Sequence, residues 1–293
     1  MAVAHDLDAR PTPQTVPSHR TGRRGSWFTA FAYLALILGG VVMITPFIWM
    51  ISTSLKPAAD IFKPDFFPAH PTLDNYTQVL TRTLFPRWYL NSLIVATLST
   101  VSVAFFDTLG GYVFAKFDFP LKNVIFVLIL STLMVPTEML VIPWYTMATQ
   151  WGWADTYWGL AFPGLITATG LFLMRQFMQG VPNELLDAAR IDGLSEFGLF
   201  WRIAVPLVKP AIAALCIFNF LGNWNAFIWP LIVTSKREML TLPVGLSFFS
   251  SEAGSDWHLI MTGATLSTVP LLIVFFLFQR QIIRGIALTG LKS

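Results

Sequence analysis

The chain has 293 residues, 55% of them hydrophobic and only 12% charged, with a mean hydropathy of +0.62. A water-soluble domain carries about twice that charge, so a soluble enzyme, a secreted disulfide scaffold and a nucleic-acid binder are excluded as primary readings. The single Cys216 leaves no disulfide framework and no cysteine-based metal site.

Residues 1–26 carry Pro, Arg and Thr without apolar periodicity and read as a disordered N-terminal tail closed by the anchor Arg23-Arg24. Six apolar spans follow, at about 27–51, 89–115, 123–143, 157–174, 210–235 and 259–279, and Asp107 and Glu138 are the only charged residues in them. At ~1.5 Å per residue each is about long enough to cross ~30 Å of hydrocarbon. The expected fold class is therefore all-α, a polytopic membrane protein with six transmembrane helices over residues 27–283, facing lipid and ending in a tail at 284–293. The first span is too long for a signal-peptide core and is expected to be retained.

With the N-terminus in the cytoplasm, 13 of the 19 Lys and Arg lie inside and six outside. The positive-inside rule then places both termini in the cytoplasm of a multi-pass protein of the cytoplasmic membrane. Trp49, Trp88, Trp144, Trp151, Trp229 and Trp257 fall near predicted outer ends of spans, as an interfacial belt does. Pro46, Pro136, Pro163, Pro230 and Pro270 predict kinks.

Three segments outside the spans are long enough for structure of their own: about 52–88 outside, 175–209 inside and 236–258 outside. The inner one reads as two short helices meeting at a break. The first starts at Pro182 or Asn183, with Glu184 and Asp187 near its positive end, and Gly193 suits the left-handed residue that ends it. Ser195 can cap the second helix, and Pro206 opens the next span. Leu194, Phe197, Trp201 and Ala204 recur at spacings of three and four, an apolar stripe on the cytoplasmic side. Ala188 and Ala189 are small enough for another surface to come close. A protein partner and a helix lying on the membrane face remain open as readings of that stripe.

The run Asp187-Ala188-Ala189, three residues, Gly193, nine residues, Ile203, one residue, Val205-Pro206 resembles the Glu-Ala-Ala loop of binding-protein-dependent ABC importer permeases, EAA-x3-G-x9-I-x-LP. Asp187 stands where the family has Glu, and Val205 where it has Leu. Thr241-Leu242-Pro243-Val244-Gly245-Leu246, Asp256-Trp257, Gln279-Arg280 and Leu288 to Ser293 look like the carbohydrate-importer branch, that of the second maltose permease subunit. Asn91-Ser92-Leu93 and Lys116-Phe117-Asp118-Phe119-Pro120 look like the same branch, so the likeness covers about 27–293.

The resemblance implies a type I ABC importer permease fold and a division of labour. Two permease subunits form the pathway as a heterodimer, two ATPase subunits drive it, and an extracytoplasmic solute-binding protein delivers a sugar, oligosaccharide or polyol. ATP and Mg belong to the partner ATPases. No Gly here is followed by Lys, so the chain has no phosphate-binding loop of its own, and neither cofactor, metal nor catalytic residue is expected on it. The implied ATPase-coupling residues, within 182–206, are Glu184, Asp187, Ala188, Ala189, Arg190, Asp192, Gly193, Ile203 and Pro206. The resemblance also places the residues after Arg284 against the ATPase pair, and 236–255 as an outer loop reaching into the binding protein.

Polar groups inside spans mark candidate translocation-path residues. Asn219 and Asn223 share a helical face; Asn225 does not, and Trp224 beside them could offer a ring to a sugar. Hydrogen bonding between helices is the competing reading of these amides. Asp107 has three open readings: pairing with a cation of the partner permease, contacting substrate, or standing protonated. Glu138 reads first as an interface contact, with a pathway role as the other reading. Two alternatives stay beside the sugar-permease reading, an ABC permease for another solute such as glycerol phosphate and a self-contained channel or enzyme. The latter lacks clustered acids and histidines within the spans, since all four His lie outside them.

Overall fold

A computed structural model describes residues 26–249 and 256–290, with side chains described over 27–249 and 256–279. The expected N-terminal tail lies outside the described residues, Ser26 excepted. So do the tip of the outer loop with Gly254 and Ser255, residues 291–293, and the side chains of the C-terminal tail.

The chain divides into two units, residues 1–47 and 48–293. The described residues of the first are helical and belong to α1 (Ser26–Ser54), apolar all round and carrying Pro46 within it. A helix with no polar face is suited to hydrocarbon.

The second unit begins with the last turns of α1. The segment that follows, expected to lie outside, is anchored by Lys56, whose Nζ donates to the carbonyls of Lys63 at 2.9 Å and Asp65 at 2.7 Å. Then come α2 (Asp74–Arg82) and α3 (Phe85–Lys116). Thr83 Oγ1 accepts from the Phe85 N–H at the start of α3, where Pro86 fits the first turn, and extended Phe117 ends it. α4 (Lys122–Ser131) passes through a 3-10 turn to extended Val135 and Pro136, and α5 (Thr137–Gln150) leaves at 103° to it. α6 (Tyr157–Ala161) and α7 (Ala168–Gln179) are bent by 48° about residues 165–167; Thr156 and Thr167 cap them.

On the side predicted to be cytoplasmic lie α8 (Asn183–Ile191), α9 (Glu196–Leu199), a π-helical turn (Phe200–Ala204) and α10 (Val205–Leu207). The chain then bends by 81° into α11 (Lys209–Trp224). α12 (Ile228–Val233), α13 (Leu242–Phe248) and α14 (Trp257–Gly290) complete it. Among the described residues three helices are long and apolar enough to cross a membrane, and the spans number up to six if each bent pair is one span. The protein is thus all-α and multi-pass.

Several span boundaries differ from expectation. The third, expected as 123–143, is two helices reaching Gln150, because Pro136 lacks an N–H and drives Val135 out of the helical region. The fifth, expected as 210–235, ends at Trp224, where Asn225 turns its Nδ2 back on the Leu221 carbonyl at 2.8 Å; α12 is a separate helix against α5 and α6. Pro206 lies in α10 rather than opening α11, which starts after a further break at Val208.

Helix α3 is the axis of the second unit, with its most extensive contacts to α7 and α11. Glycines permit the approach: a Cβ on Gly111 would stand 2.6 Å from Met174 Cβ and 2.7 Å from the Arg175 nitrogen.

Candidate functional site

The segment 182–206 is built as the spacing predicts at its two caps. Gly193 has φ +86°, the left-handed conformation that ends α8, and Ser195 Oγ accepts from the Gly198 N–H at 3.2 Å to start α9. Arg190 closes the angle between the helices. Its Nη1 lies 2.6 Å from Asp187 Oδ1, and its Nε and Nη2 reach Glu196 Oε1 and Oε2 at 2.8 and 3.3 Å. The Glu196 hydrogen bond is the main reason the guanidinium titrates above its ordinary value. At the other end of α8, Lys116 Nζ donates to Asn183 Oδ1 at 2.8 Å and to the Val181 carbonyl, joining the end of α3 to the segment.

One face of the segment is rooted in the membrane helices. Leu186, Ala189, Leu199, Phe200 and Ala204 are buried in one cluster with Val103 and Tyr112 of α3, Met174 and Met178 of α7, and Ala211 and Leu215 of α11. The other face carries exposed Glu184, Asp187, Ala188, Arg190, Asp192, Gly193 and Pro206; Ile203 is half-buried. The two alanines therefore do different things: Ala188 is open, and Ala189 packs inward.

The expected stripe of Leu194, Phe197, Trp201 and Ala204 splits as well. The π turn inserts an extra residue per turn and rotates the face. Leu199 and Phe200 go to the core, while Phe197 and Trp201 stay 60% and 55% exposed. Ile191, at 87%, and Leu185 join them as exposed apolar residues that the periodicity did not single out.

The intramembrane candidates are dispersed. Asn223 Nδ2 donates to the Asn219 carbonyl at 2.9 Å and to Asn219 Oδ1 at 3.0 Å, and Thr100 Oγ1 of α3 donates to Asn219 Oδ1 at 3.3 Å. Asn219 thus joins α11 to α3, and Asn223 bonds to it from within α11. Asn225 is exposed at the end of α11, and Glu138 is exposed in the first turn of α5.

Trp224 is buried, stacked on Phe220 with centroids 5.9 Å apart, and its Nε1 donates to the Ser267 carbonyl at 3.2 Å. It offers no free ring to a sugar, because α3 and α14 cover it. Asp107 is fully buried and accepts hydrogen bonds from the N–H and hydroxyl of Thr167, a partner within this chain that none of its three expected readings named. Thr167 is a residue type suited to capping a helix, but no local spacing links it to Asp107, 60 residues away. Among the described residues no group of three or more His, Cys, Asp or Glu could hold a metal ion.

Comparison with known proteins agrees with this architecture. The family model described as "Binding-protein-dependent transport system inner membrane component" matches residues 107–288. The arabinooligosaccharides transport system permease protein AraQ of Bacillus subtilis is 36% identical over 265 residues, 89% of this chain and 94% of that protein. The lactose transport system permease protein LacG of Rhizobium radiobacter is 32% identical over 253 residues, 86% and 93% of the two chains. The sn-glycerol-3-phosphate transport system permease protein UgpE of Yersinia pestis is 33% identical over 274 residues, 90% and 97%. The fold is that of a chain in the crystal structure of a bacterial ABC transporter involved in the import of the acidic polysaccharide alginate, with a TM-score of 0.77 at 22% identity over 92% of this chain and 99% of that one. The chain belongs to the family of binding-protein-dependent transport system inner membrane components, and is a permease subunit of an ABC importer.

Proposed function

We propose that this permease imports a carbohydrate, most simply an oligosaccharide, together with a second permease subunit, two ATPase subunits and an extracytoplasmic solute-binding protein. The observation that carries this reading is the two-faced segment 182–206. One face is embedded among α3, α7 and α11, and the other presents Glu184, Leu185, Ala188 and Ile191 to a partner. A part so rooted passes a push on its exposed face to all three membrane helices, and nucleotide-driven closure of the ATPases supplies that push. Both termini are cytoplasmic in this reading.

Identity to arabinooligosaccharide and lactose permeases supports the carbohydrate. The comparable identity to a glycerol-phosphate permease favours a second reading, a phosphorylated polyol as solute. Asn219, Asn223, Asn225 and Glu138 are the remaining candidates for the wall of the path. Uptake into proteoliposomes containing the complete transporter tests the proposal. Labelled arabinooligosaccharide or lactose should accumulate with ATP and binding protein present, and accumulation of glycerol phosphate alone would replace the first reading by the second.

A further inference from the structure

The geometry points to Asp107 as a positioning residue that latches α7 to α3, so that the two helices move together when α8 is displaced. The proposal rests on the importer reading above.

Its basis is a junction deep in the membrane domain. Asp107, in α3, is fully buried. Its Oδ1 and Oδ2 lie 3.1 and 3.2 Å from the backbone nitrogen of Thr167, and Oδ2 accepts from Thr167 Oγ1 at 2.7 Å. Thr167 is the residue that caps α7, and its Oγ1 in turn accepts from the Gly170 N–H at 3.0 Å. The carboxylate thus sits at the positive end of α7 and takes up donors that no carbonyl of that helix can satisfy. Gly170 is required by the same geometry, since a Cβ there would collide with Asp107 Oδ2. All the donors point at one group, which suits a carboxylate; a carboxamide would turn an N–H toward one of them.

The place of the junction distinguishes it from an ordinary buried cap. The 48° bend at 165–167 ends on Thr167, so the latch grips α7 where it leaves the break. From there the contacts run in register toward α8. Gly111 touches Met174 and Arg175, Arg175 Nε donates to the Phe114 carbonyl at 3.3 Å, and Lys116 bonds Val181 and Asn183. Asp107 is the far end of this series and its only carboxyl group. Without it, α7 could swing at the bend while α3 stayed behind, and motion at α8 would be absorbed before reaching the middle of the membrane.

The test uses the complete transporter with its binding protein in proteoliposomes, and reads solute moved per ATP hydrolysed alongside the yield of assembled complex. In Asp107→Asn and Thr167→Val that ratio should fall by about five- to tenfold, the size of a typical coupling free energy, with assembled complex still recovered. Thr167→Ser, which keeps the hydroxyl, should retain the wild-type ratio. Asp107→Asn complexes with an unchanged ratio, even at lower yield, would make Asp107 a folding element and overturn the proposal. Should Asp107→Asn fail to assemble, Thr167→Val decides in the same way. A wild type without ATP-dependent uptake would remove the importer reading and this proposal with it, whereas a coupled wild type beside a coupled Asp107→Asn removes this proposal alone.

Discussion

Arg190 and Glu196 meet across Gly193 as a two-pronged ion pair, Nε to Oε1 at 2.8 Å and Nη2 to Oε2 at 3.3 Å, while the same guanidinium holds Asp187. One side chain therefore fixes the angle between α8 and α9. The pair is well exposed and contributes little to stability, so its consequence lies in geometry. Arg190→Gln should assemble normally and move less solute per ATP. Exchanging the charges, Arg190→Glu with Glu196→Arg, should recover part of the loss. Uptake and hydrolysis measured on the same vesicles check both.

Gly193 separates a conformational effect from a steric one. No atom lies within 4 Å of a Cβ built there, so space does not select glycine; φ +86° does. A β-branched residue held at that angle costs about 1–3 kcal/mol. Gly193→Val should keep the membrane core folded but uncouple hydrolysis from transport. Gly193→Asn, which tolerates the left-handed region, should be milder. Full transport by the valine variant would contradict the assignment.

Gly245, in α13, abuts the ring of Trp88, whose Nε1 donates to the Arg237 carbonyl at 2.7 Å. Even a methyl group there must displace a buried indole, at about 1–3 kcal/mol. Gly245→Ala should lower the unfolding temperature of the purified protein. Gly222→Ala, where nothing lies within 4 Å, should leave it unchanged or raise it.

Lys56 is buried with two carbonyls on its Nζ and the Trp49 ring centroid 4.9 Å away. Lys56→Met fills the volume but strands those carbonyls, at about 1–3 kcal/mol each. Limited proteolysis of intact spheroplasts should then cut within residues 57–72 faster than in the wild type, with helix content by circular dichroism unchanged.

The all-α membrane class is legible in sequence because hydrocarbon imposes one strong rule: long stretches almost free of charge, of which Asp107 and Glu138 were the visible exceptions. The caps at Gly193 and Ser195 are legible because they are local. What could not be read are choices made by neighbours. Pro136 announces a kink, but nothing in its neighbours along the chain gives the 103° between α4 and α5. The π turn at 200–204 has no signature in periodicity, and it decides that Phe200 is core and Trp201 surface. Trp224 beside two asparagines looks like a sugar platform until Phe220 and Tyr89 close over it.

The central claim, that the segment 182–206 engages an ATPase, is tested most directly by purifying the chain from its native membrane in mild detergent and quantifying what accompanies it. The account predicts a second permease subunit and an ATPase at fixed stoichiometry, with the ATPase lost selectively when Ala188 is replaced by Trp on the exposed face of α8. Recovery of the chain alone, or with an ATPase indifferent to Ala188→Trp, would contradict it.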